Sequence, residues 1–257
     1  MGNITYHVEN HVATLTLQSP PANALSTSLL EALSDRLDEV EEDSSIKAII
    51  LKGEGKFFSA GADIKEFTSL QNESDYTSLS KKGQALFNRV EKFHIPIIAA
   101  IHGAALGGGL ELAMACHIRY AADHAKFGLP ELNLGIIPGF AGTQRLPAYV
   151  GAAKAYEMML SGIPITGEEA VQAGLVNKSF PEEELFTAAE KLASTIAEKS
   201  GPTIRQVMEL VTYTRSSRFE EGVLAEAEAF GEAFGTKDAK EGIKAFMEKR
   251  KPEFNDQ

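Results

Sequence analysis

The chain has 257 residues, enough to bury a sizeable core as one large domain or as a domain with an appendage. Hydrophobic residues at 44% and charged residues at 24% match an ordinary soluble globular protein, and a formal net charge of −11 excludes an extended basic footprint for nucleic acid. A single cysteine, Cys116, excludes an intrachain disulfide, fits a reducing compartment and reads as a buried helical thiol rather than a nucleophile.

Residues 5–18 alternate apolar and polar side chains, with Ala13, Leu15 and Leu17 on one face, and predict two short strands around Asn10-His11. A helix follows, with Ser28 and Glu31 as a capping box and Leu29, Leu30, Leu33, Leu37 and Val40 at helical spacing up to Glu41-Glu42-Asp43. Residues 46–51 predict a buried strand ending in the turn Gly53-Glu54-Gly55. A second helix is expected over 79–93, and Pro96 opens an apolar strand over 97–101. Residues 118–121 and 175–177 are candidates for further strands, which makes an α/β plan. Beyond Pro181 helical patterns dominate, at 182–198, 203–214, 219–234 and 237–249. The tail from Pro202 is too thin for a core of its own and should pack on the main domain or on another subunit. The start Met1-Gly2-Asn3-Ile4-Thr5 lacks the pattern of a signal peptide. The most apolar stretch, 95–114, is broken by Pro96, His102, glycines and Glu111 before it could span a membrane, so a cytoplasmic protein is expected.

Two glutamates tied to glycine-rich turns stand out: Glu111 in Gly107-Gly108-Gly109-Leu110-Glu111, and Glu131 in Phe127-Gly128-Leu129-Pro130-Glu131. In the segment 103–115 a strand runs through small residues into a helix, so unpaired N–H groups at the helix start can hold an anion or a developing oxyanion. It spells neither a Walker loop nor a dinucleotide fingerprint. The plainer reading is that its glycines only allow tight helix–strand packing. The loop Ser59-Ala60-Gly61-Ala62-Asp63-Ile64-Lys65 also follows a strand and could bring a second N–H to the same place, or be an ordinary turn. Apolar neighbours imply that both carboxyls are partly buried, which raises the pKa of at least one and lets one donate a proton while the other accepts. For Glu131 the alternatives are a salt bridge to Arg145 or a helix cap. Ser78 and Lys81 lack companion motifs for acyl transfer, and His94, His102, His117 and His124 do not have metal-ligand spacing.

Taken together, the run 58–65, the block 101–113 and the block 127–146 resemble the enoyl-CoA hydratase/isomerase (crotonase) family, and the likeness extends through Gly162-Ile163-Pro164-Ile165-Thr166-Gly167 to Phe246-Met247-Glu248-Lys249-Arg250. The resemblance implies a crotonase-like spiral of ββα repeats over 1–198 with the CoA and catalytic site, and a C-terminal helical trimerisation region over 199–257, assembled as a trimer or dimer of trimers. It implies an acyl-CoA thioester substrate in fatty acid metabolism, no separate cofactor, no metal, and neither a membrane nor a nucleic-acid partner. By position, the oxyanion donors would be the N–H groups of Ala62 and Gly108. Glu111 and Glu131 match the two hydratase glutamates, and Gly139 lines the water site. Ala60, Ala62, Asp63, Ile64, Lys65 and Gly108 would contact substrate, with Phe246 and Lys249 as further contributors. Hydratases of this family commonly read Gly-Ala-Gly-Gly-Thr where this chain has Gly139-Phe140-Ala141-Gly142-Thr143, so Phe140 bears on the acyl pocket. Both glutamates together favour hydration of a trans-2-enoyl thioester. A Δ3-Δ2-enoyl-CoA isomerase is the runner-up, and a non-catalytic RNA-binding scaffold fits the acidic charge poorly.

Overall fold

The structure is a computed structural model and describes residues 2–67, 73–215, 236–250 and 252–255. The alternating segment near the N-terminus forms an antiparallel hairpin of β1 (Asn3–Glu9) and β2 (Val12–Gln18), with Asn10 and His11 turning the chain at φ 49° and 66°. Helix α1 (Thr27–Glu42) buries Leu29, Leu30, Leu33, Leu37 and Val40. Its cap is Ser26, whose hydroxyl accepts from the Leu29 N–H at 3.3 Å, and not the expected Ser28. The Glu66 carboxylate takes the Thr27 N–H at 2.9 and 3.0 Å, so the helix starts earlier and Ser28 falls inside its first turn.

From there the chain repeats one unit. β3 (Ala48–Gly53) and β4 (Phe57–Ser59) lead to α2 (Ile64–Phe67) and α3 (Glu73–Glu91). β5 (Ile97–Ile101) and β6 (Ala104–Leu106) lead to α4 (Gly108–Ala115). β7 (Ile118–Ala122) and β8 (Lys126–Gly128) lead through a 3₁₀ turn (Glu131–Leu134) to α5 (Gly142–Ser161). β9 (Ile165–Thr166), α6 (Gly167–Gln172), β10 (Lys178–Phe180), α7 (Glu182–Ala197) and α8 (Gly201–Val211) follow, and α9 (Lys237–Glu248) comes near the C-terminus. The first strand of each unit joins a six-stranded sheet of order β1-β2-β3-β5-β7-β10, parallel beyond the first hairpin. The second strand joins a four-stranded sheet of order β4-β6-β8-β9. Each unit advances the chain by one strand in both sheets, which is the expected spiral.

Parallel strands covered on both sides read as continuous apolar runs, and every residue of β5 is buried; α7 packs across β3, β5 and β7. α3 begins earlier than the expected 79–93, and the strand expected at 175–177 lies at Lys178–Phe180. Leu175 and Val176 instead turn back so that their N–H groups reach Ala170 O, and the pairing with β7 opens at Lys178 opposite Tyr120. The helix expected over 219–234 lies outside the described residues. Among the described residues no helix is long and apolar enough to cross a membrane.

One buried side chain ties the start of the spiral together. Asn23 Oδ1 accepts from Ser19 N–H at 2.9 Å, while Nδ2 donates to Glu54 O at 2.9 Å and Phe57 O at 2.8 Å. The Ser59 hydroxyl donates to Asn23 O at 2.7 Å, and Asn23 sits at φ 51°, where Asn is better tolerated than most side chains. Replacing it with alanine orphans three backbone groups. Asn23→Ala is expected to cost about 2–4 kcal/mol, read as a lowered urea midpoint at unchanged slope.

Candidate active site

The loops that leave the small sheet converge. After β4 the chain passes through Ala60-Gly61-Ala62, fixed by Ala60 N–H on Ala22 O at 2.9 Å and Leu25 N–H on Gly61 O at 2.8 Å. After β6 it turns at Gly107 (φ 51°) into α4. A methyl group on Gly108 would stand 3.3 Å from the Ala62 nitrogen, and one on Gly61 would stand 3.6 Å from the Gly108 nitrogen, so the two amides are neighbours. Neither N–H has an intramolecular acceptor among the described residues. The three glycines divide the roles that sequence left open. Gly109 serves packing, since a Cβ there would meet Ser59 O at 2.3 Å. Gly107 serves the site, since a Cβ there would meet Glu131 Oε1 at 2.9 Å.

Glu111, in the first turn of α4, is 1% exposed. Its Oε1 accepts from the N–H of Phe140 at 2.8 Å and of Gly142 at 2.7 Å. Burial pushes its pKa up to about 7, the Glu131 charge adds to the rise, and the two amides and Arg145 pull against it. Glu131 opens the 3₁₀ turn, and burial raises its pKa as well. Among the described residues its Oε2 is buried without a hydrogen-bond partner. Neither alternative sequence reading of Glu131 holds, because Arg145 pairs with Glu91 at 3.0 Å and Glu131 lies within the turn, whose N-cap position is Pro130.

Both carboxyls and both amides border one cavity of about 830 Å³. Ala60, Gly61, Ala62 and Ile64 line one side, Tyr76, Leu79 and Ser80 of α3 another, and Leu134 to Ile137 with Gly139 and Phe140 a third. Its walls are mainly apolar with few polar groups, as expected of a ligand pocket. Phe140 is 5% exposed and packs edge-on against Phe87 at 5.3 Å between ring centroids. A Cβ on Gly83 would stand 2.3 Å from the Phe140 ring, so the bulk of Phe140 is matched by a glycine on α3. Gly139 lines the cavity beside it. Asp63 is not among the lining residues, and neither is Lys249, which follows α9 and is exposed. The side chains of Lys65 and Phe246 lie outside the described features. Asn23, Ser80, Gly83 and Gln84 were not singled out from sequence. Polar residues in an amphipathic helix such as α3 carry no local sign that they face a site.

A family model described as enoyl-CoA hydratase/isomerase matches residues 7–257. The chain belongs to the enoyl-CoA hydratase/isomerase family. It is 58% identical over 255 residues to the probable enoyl-CoA hydratase of Bacillus subtilis (strain 168), covering 99% of each chain. It is 39% identical to the short-chain-enoyl-CoA hydratase of Clostridium acetobutylicum, over 98% of this chain and 97% of that one. A crystal structure of enoyl-CoA hydratase from Bacillus anthracis superposes with a TM-score of 0.94 at 37% identity, covering 99% of this chain and 100% of that one. The crotonase-like fold expected from sequence is therefore the fold observed. Within this family fold the glutamates sit on successive ββα units, at the start of α4 and in the 3₁₀ turn after β8.

The raised Glu111 pKa has a sign in stability. A buried acid that holds its proton in the folded state supports folding at low pH, and that support is lost as pH rises from the ordinary 4.5 towards 7. In Glu111→Gln the amide oxygen still accepts both N–H groups and nothing ionises. The variant should match the parent near pH 4.5 and exceed it by on the order of 3 kcal/mol at pH 8, in paired urea titrations.

Proposed function

We propose that this chain is an enoyl-CoA hydratase, adding water across the trans-2 double bond of an enoyl-CoA thioester to give the 3-hydroxyacyl-CoA. The observation that carries this reading is the shared cavity, in which two unpaired amide N–H groups stand beside two carboxyls with raised pKa values. The names of the relatives support the same activity.

In the proposed reaction the thioester oxygen accepts from Ala62 and Gly108, each donor being worth roughly 3–4 kcal/mol once charge develops on that oxygen. Water rests between the carboxyls. Glu111, with Oε1 already held by two amides, offers its other oxygen to orient the water. Glu131 takes one proton as the water oxygen bonds to C3, and the electron pair of the double bond moves to the thioester enolate. Glu131 then returns the proton to C2, which restores the carboxylate and completes the addition of one water. Raised carboxyl pKa values bring proton loss and gain closer to neutrality, which favours this exchange. The reaction draws on no cofactor beyond the CoA carried by the substrate.

The reading extends to assembly and place. Exposed Tyr156, Leu160 and Ile163 around α5, with Val207 and Val211 on α8, support a homo-oligomer, trimer or dimer of trimers, in which 199–257 is the oligomerisation region. Phe246 and Lys249 are proposed as substrate contacts within that assembly. A cytoplasmic location fits the single buried Cys116, whose thiol burial pushes up to about 12.

Crotonyl-CoA should lose its conjugated-thioester absorbance on addition of the protein. Glu131→Gln should slow that loss by about three orders of magnitude or more while KM stays within a few-fold. Near-normal turnover, or a shifted double bond in a 3-enoyl-CoA with no hydration, overturns the reading. Phe140→Ala, which opens space next to Gly83, should raise kcat/KM for eight-carbon over four-carbon enoyl-CoA by roughly tenfold relative to the parent, the effect of burying about two more methylenes at about 0.8 kcal/mol each. A substrate panel reads this directly.

A further inference from the structure

The Gly139 carbonyl oxygen accepts two hydrogen bonds from one face of α3: Ser80 Oγ at 2.6 Å and Gln84 Nε2 at 3.0 Å. Gln84 Nε2 also lies 3.1 Å from Ser80 Oγ, so the two side chains, one helical turn apart, act together. The peptide they hold has its other end in the site, because its N–H belongs to Phe140 and donates to Glu111 Oε1 at 2.8 Å. A planar trans peptide points its C=O and N–H in opposite directions, so fixing the oxygen towards α3 aims the hydrogen at Glu111. Donors on the carbonyl also polarise the N–H and strengthen its bond to the carboxylate. The next carbonyl, of Phe140, is held by Arg145 Nη1 at 2.9 Å. Ala141 takes φ 73°, a region sparsely populated by residues other than glycine, and this turn brings the Gly142 N–H to the same oxygen at 2.7 Å.

We propose that Ser80 and Gln84 are positioning residues for Glu111: they hold the Gly139–Phe140 peptide so that its N–H supports the carboxylate in the orientation the reaction uses. The proposal rests on the hydratase reading for its kinetic consequence but not for its electrostatic one. Among the described residues the charged groups facing Glu111 are Glu131 from the 3₁₀ turn and Arg145 from α5, and neither is bonded to Ser80 or Gln84. Removing the α3 donors therefore weakens amide support for Glu111 while leaving its charged neighbours in place. Weaker support makes the ionised form less favourable, so the Glu111 pKa rises further.

The test uses the full chain carrying Ser80→Ala with Gln84→Met, a pair that keeps volume and removes both donors, alongside Ser80→Thr, which keeps a hydroxyl. With crotonyl-CoA, kcat of the double variant should fall about tenfold with KM within twofold, while Ser80→Thr recovers most of the rate. In parallel, the stability difference between each protein and its Glu111→Gln counterpart is followed against pH. Its midpoint should move up by about half a pH unit or more in the double variant and stay put in Ser80→Thr. An unchanged midpoint overturns the proposal, whatever happens to the rate, because loss of packing alone lowers activity without moving that titration. Were the parent inactive on crotonyl-CoA, the hydratase reading would fail while the stability midpoint would still decide the role of Ser80 and Gln84.

Discussion

A carboxyl group taken out of water at the start of α4 sets the terms for the surrounding structure. Glu111 is almost fully enclosed, and an isolated buried carboxylate is unfavourable by several kcal/mol. Two backbone N–H groups on a single oxygen offset part of that, and Arg145 a further part, yet burial and the second glutamate still hold the proton on to near neutrality. Supplying those two amides requires the turn 139–142 to adopt a left-handed residue at Ala141, and that turn in turn needs its carbonyls occupied by α3 and by Arg145. Arg145 is steadied by Glu91 and Asn88 at the far end of α3. One buried charge thus accounts for polar contacts that would otherwise look unrelated.

The second constraint is closeness. Ala62 and Gly108 present their amides side by side only because β4 and β6 are adjacent parallel strands and because Gly109 lets α4 rest on the Ser59 backbone. The small sheet has strands of two or three residues, and Phe58 and Phe127 on them are fully buried. Its contribution is to set the spacing between consecutive loops at one strand separation, which is the scale on which two N–H groups can share an oxygen.

Much of this was legible in the sequence. The hairpin, α1, the buried strands β3, β5 and β7, and the helices α7 and α9 follow from periodicity over six residues or more, or from unbroken apolar runs such as Ile97–Ile101. Glycine-rich loops bordering Glu111 and Glu131 pointed to a candidate site, and the structure brings those loops to one cavity. The strands β4, β6, β8 and β9 were not seen, because two or three residues carry no period. The cap at Ser26 was misplaced to Ser28 because the competing acceptor for the Thr27 N–H, Glu66, comes from a distant segment. Asn23 and Gln84 act through backbone atoms far away in sequence, and a side chain bound to a backbone group leaves no trace in residue type.

The site is also distributed in time. Ala62 belongs to the first ββα unit, Gly108 and Glu111 to the second, Glu131 and the turn after it to the third. A chain emerging from the ribosome therefore holds both amide donors and one carboxyl before any of the groups that make that carboxyl tolerable to bury. Until residue 142 is free to fold, α4 must leave Glu111 in water or the second unit must stay loosely packed. The groups of the candidate site are thus all present once the third unit folds, whereas the core closes only later, when α7 packs across β3, β5 and β7.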